Sequence, residues 1–460
     1  MDLNKIKGSG AKGLNYINSV SNIEPIFKKY EIKPNKALGQ NFLRDNELSK
    51  NIVDSLSLHN DDILIEVGPG LGALTQFLVN KVKRLILIEF DYNISELLSL
   101  IFYGCDDVEI INEDAVNFDL RNFYLDGGVK VIGNLPYSSG SEIIRSFLSF
   151  PTPVTSCVFM LQKEVAERYC AIPRTKAYGV NTVLVGSRWK IKNIVECDSS
   201  PFIPRPSVNS TVLKFELLNS NDYEPHNYNV LRKVLFSGFR ERRKQIKKRL
   251  NIETLSWDDT CEMLDINITA RSEELSIDQW IRMARLHDKN PLKDIPQSSE
   301  EIYDVVDNND SIIGQADRDC VHNDKLFHRA IHVFVLNRHD EILLQKRSMQ
   351  KDTFPGLWGS SASGHLDTGE DYEGAAVREL NEELGIESKL NKISKIEPTA
   401  STGWEFIGLF TCEHNGPFNW PYSEVETLGF FKIKMVSKWI KKRPEDFSSG
   451  FIECFNSYKF

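Results

Sequence analysis

What this chain lacks narrows its reading before any motif is considered. No apolar run approaches the roughly 20 residues that cross a bilayer, and the opening stretch Met1–Asn15 has no apolar core of the kind a secretion signal needs. Membrane-spanning and secreted classes are therefore set aside, and a cytoplasmic protein is expected. The eight cysteines, at positions 105, 157, 170, 197, 261, 320, 412 and 454, include no CxxC pair and no Cys/His grouping at zinc spacing. Neither a disulfide framework nor a structural zinc is expected. No internal repeat is present, so repeat architectures are excluded.

The chain also lacks a net positive charge, its formal balance being −9. The distribution matters more than the total. Residues 295–460 hold 18 Lys and Arg against 27 Asp and Glu, so the whole imbalance lies there and residues 1–294 are neutral. Within that neutral part, Arg240–Arg249 carries seven basic residues in ten. Such a cluster leaves nucleic-acid binding open despite the acidic total.

At 460 residues the chain exceeds one ordinary core. Residues 1–30 mix Gly, Ser, Asn and Lys and are expected to form a flexible tail. Over 31–220, apolar runs of strand length alternate with helical patterns. The runs are Ile63–Val67, Arg84–Glu89, Val108–Ile111, Val129–Ile132, Val154–Leu161 and Thr211–Phe215, the signature of an α/β domain with a mostly parallel sheet. Residues 221–286 read as a small all-helical subdomain, and 287–300, with two prolines, as a linker. A separate domain is expected over 301–460. Its elements are a hairpin of Ile331–Leu336 and Glu341–Gln345, a helix over Gly374–Leu384, and strands over Phe406–Cys412 and Leu428–Ile433.

Three features of the first domain bear on chemistry. Glu66-Val-Gly68-Pro-Gly70-Leu-Gly72 follows a strand and is expected to open a helix, where glycines let backbone approach a ligand and free N–H groups face it. Glu89 and Asp114 follow at the next strand ends, placed for a ribose and for an adenine amine. No basic residue lies in the glycine turn, which suits S-adenosylmethionine better than a dinucleotide. Asp114 reads equally well as a helix N-cap. The third feature is Asn134-Leu-Pro-Tyr137. Asn134 offers an amide oxygen, Pro136 a carbonyl with no competing N–H, and Tyr137 a flat ring. Two acceptors and a stacking surface suit methylation of a nucleobase amine; the same residues also make an ordinary strand-to-loop exit.

Residues 36–286 resemble the small-subunit ribosomal RNA adenine dimethyltransferases, the KsgA type. The likeness runs in order through Gly39-Gln-Asn-Phe-Leu43, Glu66–Gly72, Glu89, Asp114-Ala115, Asn134–Tyr137, Gln162–Arg168, Tyr178-Gly179, Phe202–Ser210 and Arg242–Lys244. The resemblance implies a Rossmann-like methyltransferase fold and transfer of methyl groups to N6 of two neighbouring adenosines near the 3′ end of small-subunit rRNA, in a pre-30S particle. It implies cofactor contacts at Asn41, Leu43, Glu66, Gly68, Gly70, Gly72, Glu89, Asp114, Ala115 and Asn134. Asn134, Pro136 and Tyr137 would hold the target base. Lys36, Lys163, Arg205, Arg242, Arg243 and Lys244 are candidate phosphate contacts, with a solvated surface as the rival reading.

In the acidic domain, Gly364-x5-Glu370-x7-Arg378-Glu379-Leu380-x-Glu382-Glu383-x-Gly385-Ile386 fits the full Nudix box. On a helix, Glu379, Glu382 and Glu383 share one face, where three like charges call for a cation. Mg²⁺ with retained waters is expected there, bridging to diphosphate oxygens, with Glu382 and Glu383 as catalytic candidates. Residues 300–460 resemble the Nudix superfamily, an α/β/α sandwich. The flanks His328–Val333, Leu343–Arg347 and Phe354–Trp358 look like the subgroup that includes isopentenyl-diphosphate isomerase. That enzyme's cysteine is replaced here by Ser363, which favours hydrolysis of a nucleoside-diphosphate-type molecule over isomerisation. Its metal histidines have counterparts in His328 and His365, although a histidine on an apolar strand is more often structural.

The expectation is a monomeric bifunctional enzyme. The rivals are a ribosome-assembly binding factor with secondary catalysis, and an inert or non-hydrolytic Nudix domain.

Overall fold

A computed structural model describes residues 7–18, 32, 34–35, 38–219, 222, 224–250, 255–290 and 301–458. The chain divides into two compact units, one of residues 1–224 with 232–281, the other of 225–231 with 282–460.

In the first unit, β1 (Phe42–Leu43) pairs with β8 (Phe202–Ile203), a two-residue antiparallel ladder apart from the main sheet. The main sheet is built from β2 (Ile63–Val67), β3 (Arg84–Glu89), β4 (Val108–Asn112), β5 (Val129–Asn134), β6 (Val154–Gln162), β7 (Trp189–Cys197) and β9 (Ser210–Leu217). Its order is β4-β3-β2-β5-β6-β9-β7, parallel except that β9 runs against both its neighbours. Burial on both faces of the inner strands β2, β3, β5 and β6 explains why they read as largely continuous apolar runs. Along β2, Leu64 packs into one core with Ile52, Leu97 and Leu98, while Ile63, Ile65 and Val67 pack into another with Ile143, Ile144 and Phe147. Helices therefore cover both faces, and the chain order reverses between β2 and β5. The crevice beyond the carboxyl ends of those two strands is where an open α/β sheet binds ligands.

Four expectations need correction. The segment after Gly72 is a series of turns with one 3-10 turn at Thr75–Phe77, not an α-helix. Gly68, Gly70 and Gly72 all have positive φ, and that run of left-handed residues holds the chain off a helical path. Residues 11–18, expected in a flexible tail, form a helix whose Leu14 is fully buried among Leu71, Leu74 and Leu78. Strand β7, opposite β9, had not been expected. The basic run 240–249 is turns and a 3-10 turn at Ile246–Lys248, so no helix face is formed there. Helices at Tyr228–Phe239, Trp257–Leu264 and Ile277–His287 match the expected helical region. Trp280, fully buried beside Gly238, anchors it.

The second unit carries the small hairpin of β10 (Ile302–Val306) and β11 (Ile312–Asp317) beside a larger sheet. That sheet contains β12 (His328–Leu336), β13 (Glu341–Arg347), β14 (Trp358–Gly359), β15 (Ala362–His365), β16 (Asn391–Ile396), β17 (Glu405–Glu413) and β18 (Val425–Lys432). The expected hairpin of β12 and β13 is brief, pairing at Leu336↔Ile342, after which β12 turns to β15 and to a long parallel register with β17. Alternate residues of β12 face opposite layers. Ile331, Val333 and Val335 pack on Ala375, Ala376, Leu380 and Leu384 of the helix Tyr372–Leu384. Phe334 meets Phe451 of the helix Ser449–Ser457 on the other side.

Candidate functional site

The first site gathers around the ends of β2, β3 and β5. Gly39, Asn41, Leu43, Glu66, Gly68, Gly70, Glu89, Asn134, Pro136 and Tyr137 line one cavity. An adjoining cavity of about 200 Å³ is lined by Gly68, Glu89, Phe90, Asp114, Ala115 and Pro136. The two share Gln40, Gly68, Glu89 and Pro136 and so form one continuous cleft. Gly72 does not line it; its φ is +79° and an added Cβ would strike the Leu14 side chain, so its role is packing.

Two buried carboxylates mark the cleft wall. Glu89 accepts from Gly70 N–H at 3.2 Å and Asp91 N–H at 2.9 Å. The Gly70 N–H is thus engaged rather than free, contrary to the expected helix N-terminus. Glu66 accepts from the Thr75 hydroxyl at 2.7 Å. Burial raises both, Glu66 to about 8 and Glu89 to about 7, because neither has a cation beside it. Asp114 caps the 3-10 turn Ala115–Asn117 through Val116 N–H at 2.9 Å and also lines the cleft.

Asn134 is oriented by its neighbours. Its amide Nδ2 donates to the Asn41 carbonyl at 3.1 Å, which leaves Oδ1 as the acceptor available to the cleft. Gly39, with φ +67°, allows that segment to lie against the loop after β5; an added Cβ would come 2.8 Å from Tyr137 N. The Tyr137 hydroxyl lies 2.7 Å from Ser210 Oγ. Ser210 was part of a recognised sequence run, yet nothing in its local sequence signalled this contact.

The candidate RNA contacts separate. Arg242 is spent internally, with Nε 2.6 Å from Glu273 and its other nitrogens donating to the carbonyls of Lys176 and Thr175. It is a structural brace. Arg243 and Lys244 are exposed beside Arg174 and Lys176 around a shared concavity. Arg205 is exposed and donates to Ser199 Oγ; Lys163 pairs with Glu196 at 2.8 Å. Lys36 lies outside the described residues.

In the second unit, the helix Tyr372–Leu384 is capped by Asp371, which accepts from Gly374 N–H at 2.7 Å. It presents the three glutamates unequally. Glu383 is buried and accepts from Ser363 N–H at 2.9 Å; the Glu382 side chain is 61% exposed. Arg378 sits among them, 2.8 Å from Glu379 and 3.2 Å from Glu382, and is itself fixed by Glu370 at 3.0 Å. The box's first glycine has a specific reason, since a Cβ on Gly364 would fall 2.0 Å from Glu379 Oε1. Burial raises both Glu379, to about 8, and Glu383, to about 7, with repulsion from Glu383 adding to the first and from Glu424 to the second. Carboxylates that stay raised even with Arg378 beside them are crowded enough to suit a further cation.

These glutamates line a cavity with Arg318, Lys351, Ser363, Gly364 and His365. All five of those residues also line a second cavity with His322, Arg347, Phe354 and Glu405. One arm of the cleft is acidic and the other basic.

Among the described residues, the ligand atoms of His322, His328 and His365 lie within 4.8 Å of one another. His328 Nδ1 donates to the Leu326 carbonyl at 2.9 Å, so its buried Nε2 turns inward without a hydrogen-bond partner, as does His322 Nε2. Glu405 Oε1 stands 3.0 Å from His365 Nε2 and 3.5 Å from His328 Nε2. Burial holds the His322 ring down at about 4, which keeps it neutral. Three imidazoles and a carboxylate suit a borderline transition ion better than Mg²⁺. Sequence reasoning found His328 and His365 but missed His322 and Glu405, whose approach depends on a turn and on the β12–β17 pairing.

Comparison with known proteins divides the chain the same way. A family model described as ribosomal RNA adenine dimethylase matches residues 15–289, and one described as NUDIX domain matches 326–449. The ribosomal RNA small subunit methyltransferase A of Clostridioides difficile (strain 630) is 33% identical over 272 residues, covering 57% of this chain and 94% of that protein. Among solved structures, a dimethyladenosine transferase from Plasmodium falciparum is 22% identical with a TM-score of 0.45, over 53% of this chain and 95% of the other. The NUDIX domain of Shewanella oneidensis NrtR, in complex with ADP ribose, is 17% identical with a TM-score of 0.24, over 28% and 83%.

Proposed function

We propose, for a chain that belongs to the ribosomal RNA adenine dimethylase family over residues 15–289 and carries a NUDIX domain over 326–449, that it dimethylates N6 of two adjacent adenosines near the 3′ end of small-subunit rRNA. The observation that carries this reading is the Asn134 amide, whose nitrogen is tied to the Asn41 carbonyl and whose oxygen is left for the cleft. An adenine amine is a poor nucleophile because its lone pair is delocalised into the ring. Acceptors at Asn134 Oδ1 and the Pro136 carbonyl would draw its hydrogens into place and localise the pair. Tyr137 would stack on the base once it is swung out of its RNA context.

S-adenosylmethionine, when bound, supplies an electrophilic methyl group. The residues present fit it: Glu66 and Glu89 are buried carboxylates without a cation, beside a cleft that runs on to Asp114 and Ala115. Positioning of amine against methyl would provide most of the acceleration. Arg243, Lys244 and Arg205 are the exposed cations suited to RNA phosphates. Replacement of Asn134 by Ala is the test. Methylation of pre-30S particles should fall at least tenfold with particle binding retained; a wild-type rate would favour the assembly-factor reading.

For the second unit we infer a metal-dependent diphosphate hydrolase. Glu379, Glu382 and Glu383 would hold Mg²⁺, and Arg318, Arg347 and Lys351 would meet the phosphates. The bound ion would polarise a phosphoryl oxygen and orient water. Ser363, in place of a thiol, supports hydrolysis over isomerisation. The imidazole cluster is a second candidate metal position in the same cleft. Release of phosphate or a monophosphate from a nucleotide panel with Mg²⁺ should vanish in a Glu382→Gln/Glu383→Gln variant. No turnover by the wild type would favour an inert domain.

A further inference from the structure

We infer that Ser210 is a positioning residue for methyl transfer, fixing the plane of the Tyr137 ring through its hydroxyl. The inference rests on the proposed role of Tyr137 as the surface on which the target adenine stacks.

A stacking platform is useful only if its plane is set before the base arrives. Stacked rings need near-parallel planes, and a ring free to swing about χ1 and χ2 loses that freedom on binding. The Tyr137 backbone is already confined. Gly39 lies so close that an added Cβ would sit 2.8 Å from Tyr137 N, and Leu135 N–H donates to the Met160 carbonyl at 3.1 Å. The ring itself is only half-buried. Its fixed point is at the far end, where Oη is 2.7 Å from Ser210 Oγ.

Ser210 is well suited to be that point. It is fully buried and is the first residue of β9, with Gln162 of β6 opposite on one side and Cys197 of β7 on the other. The Cys197 thiol donates to its carbonyl at 3.8 Å, and Lys163 N–H donates to the carbonyl of Asn209 at 2.9 Å. Its hydroxyl therefore hangs from a strand held on both edges, unlike the loop it steadies. Burial keeps the Tyr137 phenol above its ordinary range, so the contact is a neutral hydrogen bond at working pH. Ser210 meets Tyr137 at the hydroxyl on the ring's edge, so its role is to act through the ring and not on the substrate.

The test uses the full-length protein, S-adenosylmethionine and small-subunit precursor particles. Its readouts are the single-turnover rate at saturating particle, the cofactor Kd and the thermal midpoint. Ser210→Ala and Tyr137→Phe each remove one half of the contact, and each should lower the rate about five- to tenfold, the scale of one lost hydrogen bond, with cofactor Kd unchanged. The combined variant should be no slower than the slower single one, because both changes delete the same interaction. A wild-type rate in Ser210→Ala, or losses that multiply in the combined variant, overturns the inference. If Ser210→Ala does not fold, Tyr137→Phe decides alone, and a wild-type rate in it is again the refuting result. Tyr137→Ala separates the two levels of the claim. Full activity there sinks the stacking role and this inference with it; loss there with a normal Ser210→Ala removes only the inference.

Discussion

Replacing Gly39 by Ala puts a methyl group where the structure has least room for it. Two effects follow, and they can be separated. The first is backbone strain, since Gly39 has φ +67°, a conformation that costs an ordinary L-residue about 1–2 kcal/mol. The second is contact, since the new Cβ would lie 2.8 Å from Tyr137 N and 3.1 Å from Ser138 N, where ordinary contact begins at 3.4 Å. Both neighbours are backbone atoms, so no side chain can rotate away, and the loop must retreat by about 0.6 Å from Tyr137 alone. If a misplacement of about 1 Å costs on the order of a hundredfold in rate, this displacement should cost about tenfold. Gly104 provides the control, with φ +81° and nothing within 4 Å of an added Cβ. Gly104→Ala should lower stability by a similar 1–2 kcal/mol and leave methylation untouched. Single-turnover methylation and thermal melting of the two variants side by side make the measurement. A Gly39→Ala protein that melts like Gly104→Ala and methylates at the wild-type rate would refute the claim that this approach sets the acceptor loop.

Further outcomes follow from the same geometry. Glu66 and Glu89 are raised to about 8 and about 7, so in the empty site they are largely protonated at pH 6 and must ionise to meet a cationic cofactor. Cofactor affinity, measured by calorimetry, should therefore rise several-fold between pH 6 and 8, and a flat profile would remove these carboxylates from cofactor recognition. The sign for folding is opposite: raised carboxyl pKa values contribute stability at low pH that is lost as pH climbs through about 7 to 8. Leu14→Ala should cost about 2–4 kcal/mol in denaturant melts, the usual cost of emptying a buried leucine site; a change under about 0.5 kcal/mol, the scale of a surface substitution, would mean the N-terminal helix is not docked. Arg243→Ala should weaken RNA binding and shallow its salt dependence by about one unit, whereas Arg242→Ala should chiefly lower the melting temperature. Equal salt slopes for the two would erase that distinction.

The inner strands of the first unit's sheet, β2, β3, β5 and β6, were legible because they are largely buried on both faces and form nearly unbroken apolar runs. Strand β7 was not, because it lies at the edge, buries only Trp189 fully, and exposes Lys190, Lys192 and Asn193. A register shift between Asn193 and Val195 further breaks its alternation. The glycine turn misled for a different reason. The spacing of Gly68, Gly70 and Gly72 announces a ligand-binding turn, but no local rule says that Leu14, more than fifty residues upstream, packs over Gly72. The Nudix-box helix was legible to its C-terminal end at Leu384 but begins two residues before the expected Gly374, and its glutamates proved unequal because exposure depends on what β13 and β15 place beside them. Arg242 and Arg243 are neighbours of one residue type, and the distant partners Glu273, Thr175 and Lys176 draw one inward and leave the other to solvent.

The two-residue ladder between Phe42-Leu43 and Phe202-Ile203 joins the stretch that carries Asn41 to the stretch that leads into Ser210. One strand borders the donor cleft, and the other leads to the residue that holds the acceptor's tyrosine. Displacement of either strand would act on the other through those two residue pairs. Linkage then runs in both directions: whatever factor the donor imposes on RNA affinity, RNA must impose on donor affinity. That reciprocity concerns the two affinities, and titrating the donor with and without RNA bound reads it directly.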